Sequence, residues 1–338
     1  MHFLITGHTG FKGTWLSQLL KSRGFKVSGI SLDPISRSLF NSMDPEDIYE
    51  NDFRMNITEY SEIMNCFEFI QPDVVIHLAA QPLVRESYRD PVTTYDTNIQ
   101  GTLNVLKATS KTKTVKAQLI ITTDKVYKNV NKREGYVESE ILRGHDPYSS
   151  SKAVADLLTQ AWVRSVKSCP TAIARAGNVI GGGDVSSERL IPDLINSYSN
   201  NSVPALRFPN AVRPWQHVLD CLNGYLILVD KLLTGNGEGA WNFGPAENEI
   251  HTVAEVSNLV GEIWGVEKSW VKDNGDHPHE AGLLNLNSSK ARSQLHWKDK
   301  LGFEESVRWT TDWYKDVYSG LSPIEATKRN IENFESIK

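Results

Sequence analysis

The sequence predicts a doubly wound, parallel α/β sheet carrying a smaller C-terminal α/β lobe. Three observations predict it. Short apolar runs alternate with helix-spaced patterns through the first half, a glycine-rich turn follows the first of those runs directly, and the pattern loses its regularity after about Arg175. Strand–helix alternation of this kind builds a parallel sheet with helices on both faces.

Phe3-Leu4-Ile5 reads as the first strand. Lys12 to Ser22 then places Trp15, Leu16, Leu19 and Leu20 at helical spacing, and Gly24 stops that helix. Lys26 to Leu32 reads as the second strand, while Asp73 to His77 and Ala117 to Thr122 read as buried strands. Between these last two, Asp90-Pro91 opens a helix, with Asp as cap and Pro at the first position. Beyond Arg175, Gly181-Gly182-Gly183 predicts a flexible turn, and Thr252 with Glu255 predicts a capping box ahead of a helix to about Trp264. A last helix is expected over Glu304 to Tyr318, and the polar tail after Trp313 is given no role. The expected division is 1–178 for a dinucleotide-binding domain and 179–338 for a ligand-binding lobe, with parts of 213–243 returning to the first domain. The lobe should cover the C-terminal edge of the sheet, where ligands of such sheets bind.

Composition narrows the function. Lys plus Arg number 36 against 41 Asp plus Glu, a net charge of -5, which argues against a nucleic-acid binder. An anionic ligand must then be held by a local cluster of cations. The three cysteines, Cys66, Cys169 and Cys221, are scattered and form neither a disulfide framework nor a zinc site, so no metal is expected. The opening apolar run is too short for a signal-peptide core, and no stretch approaches the ~18 apolar residues of a membrane span. A soluble, cytoplasmic enzyme is the expectation.

Gly7-His8-Thr9-Gly10-Phe11-Lys12-Gly13 follows a strand and opens a helix. Glycines there permit the tight turn, the close approach of a pyrophosphate and the packing of helix on strand, while the helix N-terminus favours negative charge. Asp33 ends the second strand, where a carboxylate can hold the adenosine ribose hydroxyls. That acid favours NAD over NADP by repelling a 2′-phosphate. The pattern is that of a Rossmann dinucleotide site. Further along, Asp146-Pro147-Tyr148-Ser149-Ser150-Ser151-Lys152 caps a helix and sets Tyr148 and Lys152 one turn apart on one face. A cation beside the phenol would lower its pKa and make it a usable proton acceptor.

Together these residues resemble the extended short-chain dehydrogenase/reductase family, and within it the CDP-glucose 4,6-dehydratases. The similar segments are GHTGFKGTWL (7–16), HLAAQPLVRESYRDPVTTYDTN (77–98), TTDKVY (122–127), GHDPYSSSK (144–152), ARAGNVIGGGD (174–184), RLIPD (189–193), RPWQHV (213–218) and AWNFGP (240–245). They span most of the chain, and TTDKVY, GNVIGGGD and RPWQHV are the more selective ones. The resemblance implies bound NAD and a three-stage reaction. Tyr148 takes the proton from the sugar O4 while NAD takes the C4 hydride; water leaves across C5 and C6; the hydride returns to C6. Thr123 or Thr122 would hydrogen-bond O4, and Asp124 would protonate the departing C6 hydroxyl. Lys125 stands where other dehydratases carry a glutamate, and would act either as the C5 base or by steadying the enolate.

By the same resemblance, Ile57, Leu78, Ala79, Ala80, Asn98 and Thr122 join the glycine turn at the cofactor, and Arg175 either faces the cofactor there or supports the site. Asn56 replaces an aspartate that relatives often carry near the adenine. Gln81, Asn178, Arg189, Leu190, Arg207, Arg213 and His279 are implied at the nucleotide sugar. Arginine suits a diphosphate because its planar fork offers paired donors. Trp215 reads equally as core or as a platform for the base, whereas His279, in a Gly/Asp/His/Pro-rich loop, reads more readily as a solvated loop residue. The helices opening at Pro91 and Pro147 form the usual homodimer interface of the family, whose products feed deoxysugars to surface lipopolysaccharide. The competing readings are an epimerase or reductase on this scaffold, a dehydratase of another nucleotide sugar, and a non-catalytic NAD-binding protein. Asp124, unnecessary to an epimerase or reductase, weighs against the first, and the Tyr148–Lys152 pair against the last.

Overall fold

The computed structural model describes residues 1–166, 168–246, 249–275 and 282–337. Seven strands, His2–Thr6, Lys26–Ser31, Tyr49–Arg54, Val74–His77, Ala117–Thr123, Thr171–Ala176 and Gly239–Phe243, pair in parallel. Their spatial order is third, second, first, fourth, fifth, sixth, seventh. Parallel strands covered on both faces must be apolar throughout, and Val74, Val75, Ile76, Leu119 and Ile120 are all fully buried. Alternation in the first strand divides the core. Phe3 and Ile5 join Trp15, Leu16 and Leu19 on one face, while Leu4 meets Ile63, Phe67 and Val105 on the other. The order reverses between the first and fourth strands, which opens a crevice at their C-terminal ends.

The third strand left little trace in the sequence. Its Tyr-Glu-Asn-Asp-Phe-Arg run is polar because it forms the sheet edge, and pairing with the second strand is what holds it extended. Caps behaved as their residues suggested. Asp146 accepts the Ser149 N–H at the start of Pro147–Ser165, and Thr252 with Glu255 closes the capping box of Val253–Trp264.

Beyond Ala176 the chain leaves the sheet and comes back. Val218–Leu233 packs against the fifth and sixth strands, and Gly239–Phe243 adds the seventh strand beside the sixth. The rest forms a lobe of helices, among them Leu190–Ser199, Val253–Trp264 and Phe303–Tyr318, with three short strand pairs. Two expectations need correction. The Gly181–Gly183 turn is a packed junction rather than a flexible one: its three glycines are buried, a Cβ on Gly182 would lie 2.0 Å from the Trp313 ring, and Trp15 Nε1 donates to Gly182 O at 2.9 Å. The tail also has a structural task. Pro323–Ser336 is a helix that buries Ala326, Ile331 and Phe334, and Arg23 pairs with Glu335 at 2.7 Å. Among the described residues no helix is long and apolar enough to cross a membrane, and no cluster of possible metal ligands occurs.

Candidate active site

The glycine turn works by absence of side chains. Gly7 has φ +76°, and a Cβ there would stand 2.7 Å from the Ala79 backbone nitrogen. On Gly13 a Cβ would meet the Gly7 carbonyl oxygen at 2.1 Å. The helix Phe11–Ser22 begins at Gly10 with no side chain capping it, so its first N–H groups face the crevice for an anion to meet. Above this turn lies a cavity of about 1300 Å³, larger than one small ligand requires.

Most of the expected residues line that one cavity. Gly7, Thr9, Gly10, Phe11, Lys12, Gly13, Asp33, Asn56, Ile57, Leu78, Ala79 and Ala80 come from the first four strand ends. Thr122, Thr123, Lys125, Tyr148 and Lys152 come from the fifth strand end and the helix beside it. Asn178, Arg189, Leu190, Arg207 and Arg213 come from the lobe, Arg189 paired with Asp184 at 2.8 Å. Trp215 shares both of its expected characters: it touches the cavity, yet is buried in the main core with Nε1 donating to His251 O at 3.1 Å.

Other expectations fail on geometry. Arg175 is not at the cavity wall. Its guanidinium is fully buried, bidentate to Asp156 at 2.8 Å, and donates to Tyr127 Oη, so it braces the sheet from beneath. Asn98 is also fully buried and holds the loop at Gln81, accepting the Gln81 N–H at 2.9 Å and donating to Gln81 O and Ser151 Oγ. The Gln81 side chain is spent on its own loop, on Leu83 and Thr94, and does not face the cavity. His279 lies outside the described residues.

At the centre the two threonines separate. Thr122 turns its hydroxyl away, donating to Asp156 at 3.1 Å. Thr123 lies beside the Tyr148 phenol and donates to Asp124 Oδ1 at 2.9 Å. Asp124 is fully buried just behind the cavity wall, and its Oδ2 has no hydrogen-bond partner among the described residues. A Cβ on Gly177 would clash with the Pro214 ring at 2.2 Å and come within 3.2 Å of that oxygen, so only glycine fits beside it. Lys125 reaches to 3.8 Å from Asp124 Oδ1 and lines the cavity.

Electrostatics also depart from expectation. Burial pushes the Tyr148 phenol up to about 12, while Thr123 and Arg189 pull the other way. The lysine does not lower it in this state. Lys152 Nζ donates to Ile121 O at 2.6 Å, and burial, opposed by Asp156 and helped by Lys12, takes its own pKa down to about 8. Sequence reading missed several polar groups here. Arg85 and Arg89 both bind Glu188 Oε1, at 3.0 and 3.2 Å, joining the short helix Val84–Arg89 after the fourth strand to the segment before Arg189. Asp156 links Thr122 to Arg175 beneath the floor. No local motif marks these pairs.

The sequence profile described as GDP-mannose 4,6 dehydratase matches residues 4–310. The CDP-glucose 4,6-dehydratase of Salmonella typhimurium is 40% identical over 98% of this chain and 95% of its own length. The dTDP-glucose 4,6-dehydratase of Haemophilus influenzae is 26% identical over 93% of this chain and 98% of its own. Among solved structures, the dTDP-glucose 4,6-dehydratase of Bacillus anthracis in complex with NAD superimposes with a TM-score of 0.80 at 25% identity, covering 96% of this chain and 99% of that one. The UDP-glucose 4-epimerase of Thermotoga maritima with UDP-glucose, at 23% identity and a TM-score of 0.82, covers 94% of this chain and 100% of that one and shares the fold.

Proposed function

The chain belongs to the GDP-mannose 4,6 dehydratase family, and from that premise we infer that it is an NAD-dependent hydro-lyase converting CDP-glucose to CDP-4-keto-6-deoxyglucose. The observation that carries this reading is the cluster at the cavity floor, where Thr123 joins the Tyr148 phenol to the buried Asp124 carboxyl. A base at O4 and an acid at C6 are what a 4,6-dehydration needs within reach of one sugar. Bound NAD would supply the hydride acceptor for C4 and later the hydride for C6.

The chain's own residues then divide the work. The uncapped helix start at Gly10 and the bare Gly7–Gly13 turn receive the pyrophosphate of the cofactor, and Asp33 receives its adenosine ribose. Tyr148 accepts the proton of O4, and Thr123 orients that hydroxyl. Lys152, the cation one helical turn from the phenol, would favour the phenolate once the site is filled. Asp124 delivers a proton to the leaving C6 hydroxyl, and Lys125 acts at C5, as base or by steadying the enolate. Asn178, Arg189, Arg207 and Arg213 hold the nucleotide diphosphate, the arginines as forked cations in a chain of net charge -5.

In this reading the cofactor belongs to residues 1–178 with the returning helix and strand, and the nucleotide sugar to the remainder. The enzyme works in the cytoplasm, where both charged nucleotides are at hand. It works as a homodimer, for which the exposed Val92, Tyr95, Val154 and Leu157 of the helices starting at Pro91 and Pro147 supply an apolar face. Leu157→Lys should therefore shift the protein from dimer to monomer in analytical ultracentrifugation; an unchanged sedimentation coefficient puts the interface elsewhere.

The direct test is to incubate the purified protein with CDP-, dTDP-, UDP- and GDP-linked hexoses and follow products by mass spectrometry. CDP-glucose alone is expected to lose one water, with no net change in cofactor oxidation state. Isomerisation or reduction of a hexose without water loss would sink the dehydratase reading.

A further inference from the structure

An ion-pair cluster ties the sheet domain to the lobe at the wall of the cavity. The helix Val84–Arg89 is fixed on the sheet side, where its Ser87 Oγ accepts the Tyr148 N–H at 3.0 Å. From the same helix Arg85 and Arg89 reach one carboxylate oxygen of Glu188, at 3.0 and 3.2 Å. Arg85 and Glu188 both line the cavity, with 29% and 25% of their side chains exposed. Arg89 is 62% exposed and is shared with Glu86 of its own helix, so Arg85 is the principal partner. Glu188 has φ +64°, a torsion that residues other than glycine adopt rarely. Such a torsion persists where the surroundings over-determine it. Here the two arginines hold the side chain, and the Glu188 N–H donates to Asp193 Oδ1 at 3.3 Å. The next residue, Arg189, opens the helix Leu190–Ser199 and also lines the cavity.

We propose that Glu188 is a positioning residue: clasped by Arg85, it presets Arg189 for the diphosphate of the nucleotide sugar. The proposal rests on the nucleotide-sugar reading of the cavity. Residues 185–189 lie in no helix or strand, so the ladders of regular structure do not fix them. The Glu188 carboxylate ties this segment to a helix packed against Pro147–Ser165. An arginine ordered in advance binds its anion without losing side-chain freedom at that moment. Charge makes the same point. A bare carboxylate on the wall of a cavity for a diphosphate would repel the ligand, and the two arginines turn that corner net positive. Loss of Arg85 therefore does two kinds of harm, since it opens the clasp and uncovers an acid.

Calorimetric titration of CDP, which has the diphosphate but no sugar to react, tests this beside steady-state kinetics with CDP-glucose. The proteins are the wild type, Glu188→Gln, Glu188→Gly, Arg85→Met, and Arg85→Met with Glu188→Gln. Glu188→Gln should weaken CDP by about three- to tenfold, and the same factor should fall on KM rather than on kcat. Arg85→Met should weaken CDP further, and adding Glu188→Gln to it should bring the affinity back to that of Glu188→Gln alone. Glycine suits the torsion at this position, so Glu188→Gly separates the turn from the clasp and should weaken CDP as Glu188→Gln does. Wild-type affinity in Glu188→Gln or Glu188→Gly, or losses that simply add in the double variant, overturn the proposal. A wild type that neither binds CDP nor turns over CDP-glucose overturns the substrate reading itself, and the proposal with it.

Discussion

Tyr148→Phe is expected to lower kcat by about 10²- to 10⁴-fold, the usual worth of a positioned proton-transfer group, with KM for the nucleotide sugar little changed. The loss is confined to one hydroxyl, because phenylalanine keeps the ring in the cavity wall. The phenol begins far from readiness, at about 12, because its burial strips water from the anion. Lys152, at about 8, is a cation that can lend its charge at neutral pH. Below the phenol's pKa in the filled site the reactive phenolate is scarce, so the rate should rise with pH. Thr123, beside the phenol, pulls its pKa down. Thr123→Val should therefore move the rising limb of the pH–rate profile to higher pH, whereas a merely structural threonine would lower the rate at every pH alike. Steady-state kinetics over the pH range decide it. A Tyr148→Phe enzyme within a few-fold of the wild type would remove Tyr148 from the chemistry.

Asp124→Asn should separate the reaction into its halves. Oxidation at C4 needs Tyr148 and Lys152 but no acid at C6, so it should proceed; water loss should fall by about 10²-fold or more. Asparagine has the shape of the carboxylate, Oδ1 keeps the Thr123 bond, and Oδ2 has no partner among the described residues to lose. The fold should therefore survive. The check is paired: absorbance of reduced nicotinamide in the enzyme mixed with CDP-glucose, and the product mass. Reduced cofactor accumulating with no dehydrated sugar is the expected result. Dehydration at close to the wild-type rate would mean that the proton for C6 comes from another group.

The parts of the molecule legible in the sequence are those governed by neighbours in the chain. A glycine turn is a matter of backbone torsion and of atoms a few residues away. The capping of Pro147–Ser165 by Asp146 and the one-turn spacing of Tyr148 and Lys152 follow from helix geometry alone. Alternating apolar runs announce a parallel sheet because burial on both faces excludes polar residues. These short-range rules were enough for the fold class and for the location of the cavity.

What the sequence left open was settled by pairs brought together from a distance. Arg175 read either as facing the cofactor or as supporting the site, and Asp156, on the helix beside the sheet, takes its Nε and Nη2 while Tyr127 and Glu138 take Nη1. Thr122 and Thr123 were interchangeable as letters, but adjacent strand residues point to opposite faces, and only Thr123 meets Tyr148 and Asp124. The Arg85–Glu188 pair spans 103 residues, and the Arg54–Asp33 approach depends on two strand ends lying side by side. By itself the sequence determined the elements, the turn and the kinds of charged group available. Only the tertiary structure decided which charges meet, because that depends on strand order and on water excluded from the floor of the cavity, and no local pattern encodes either.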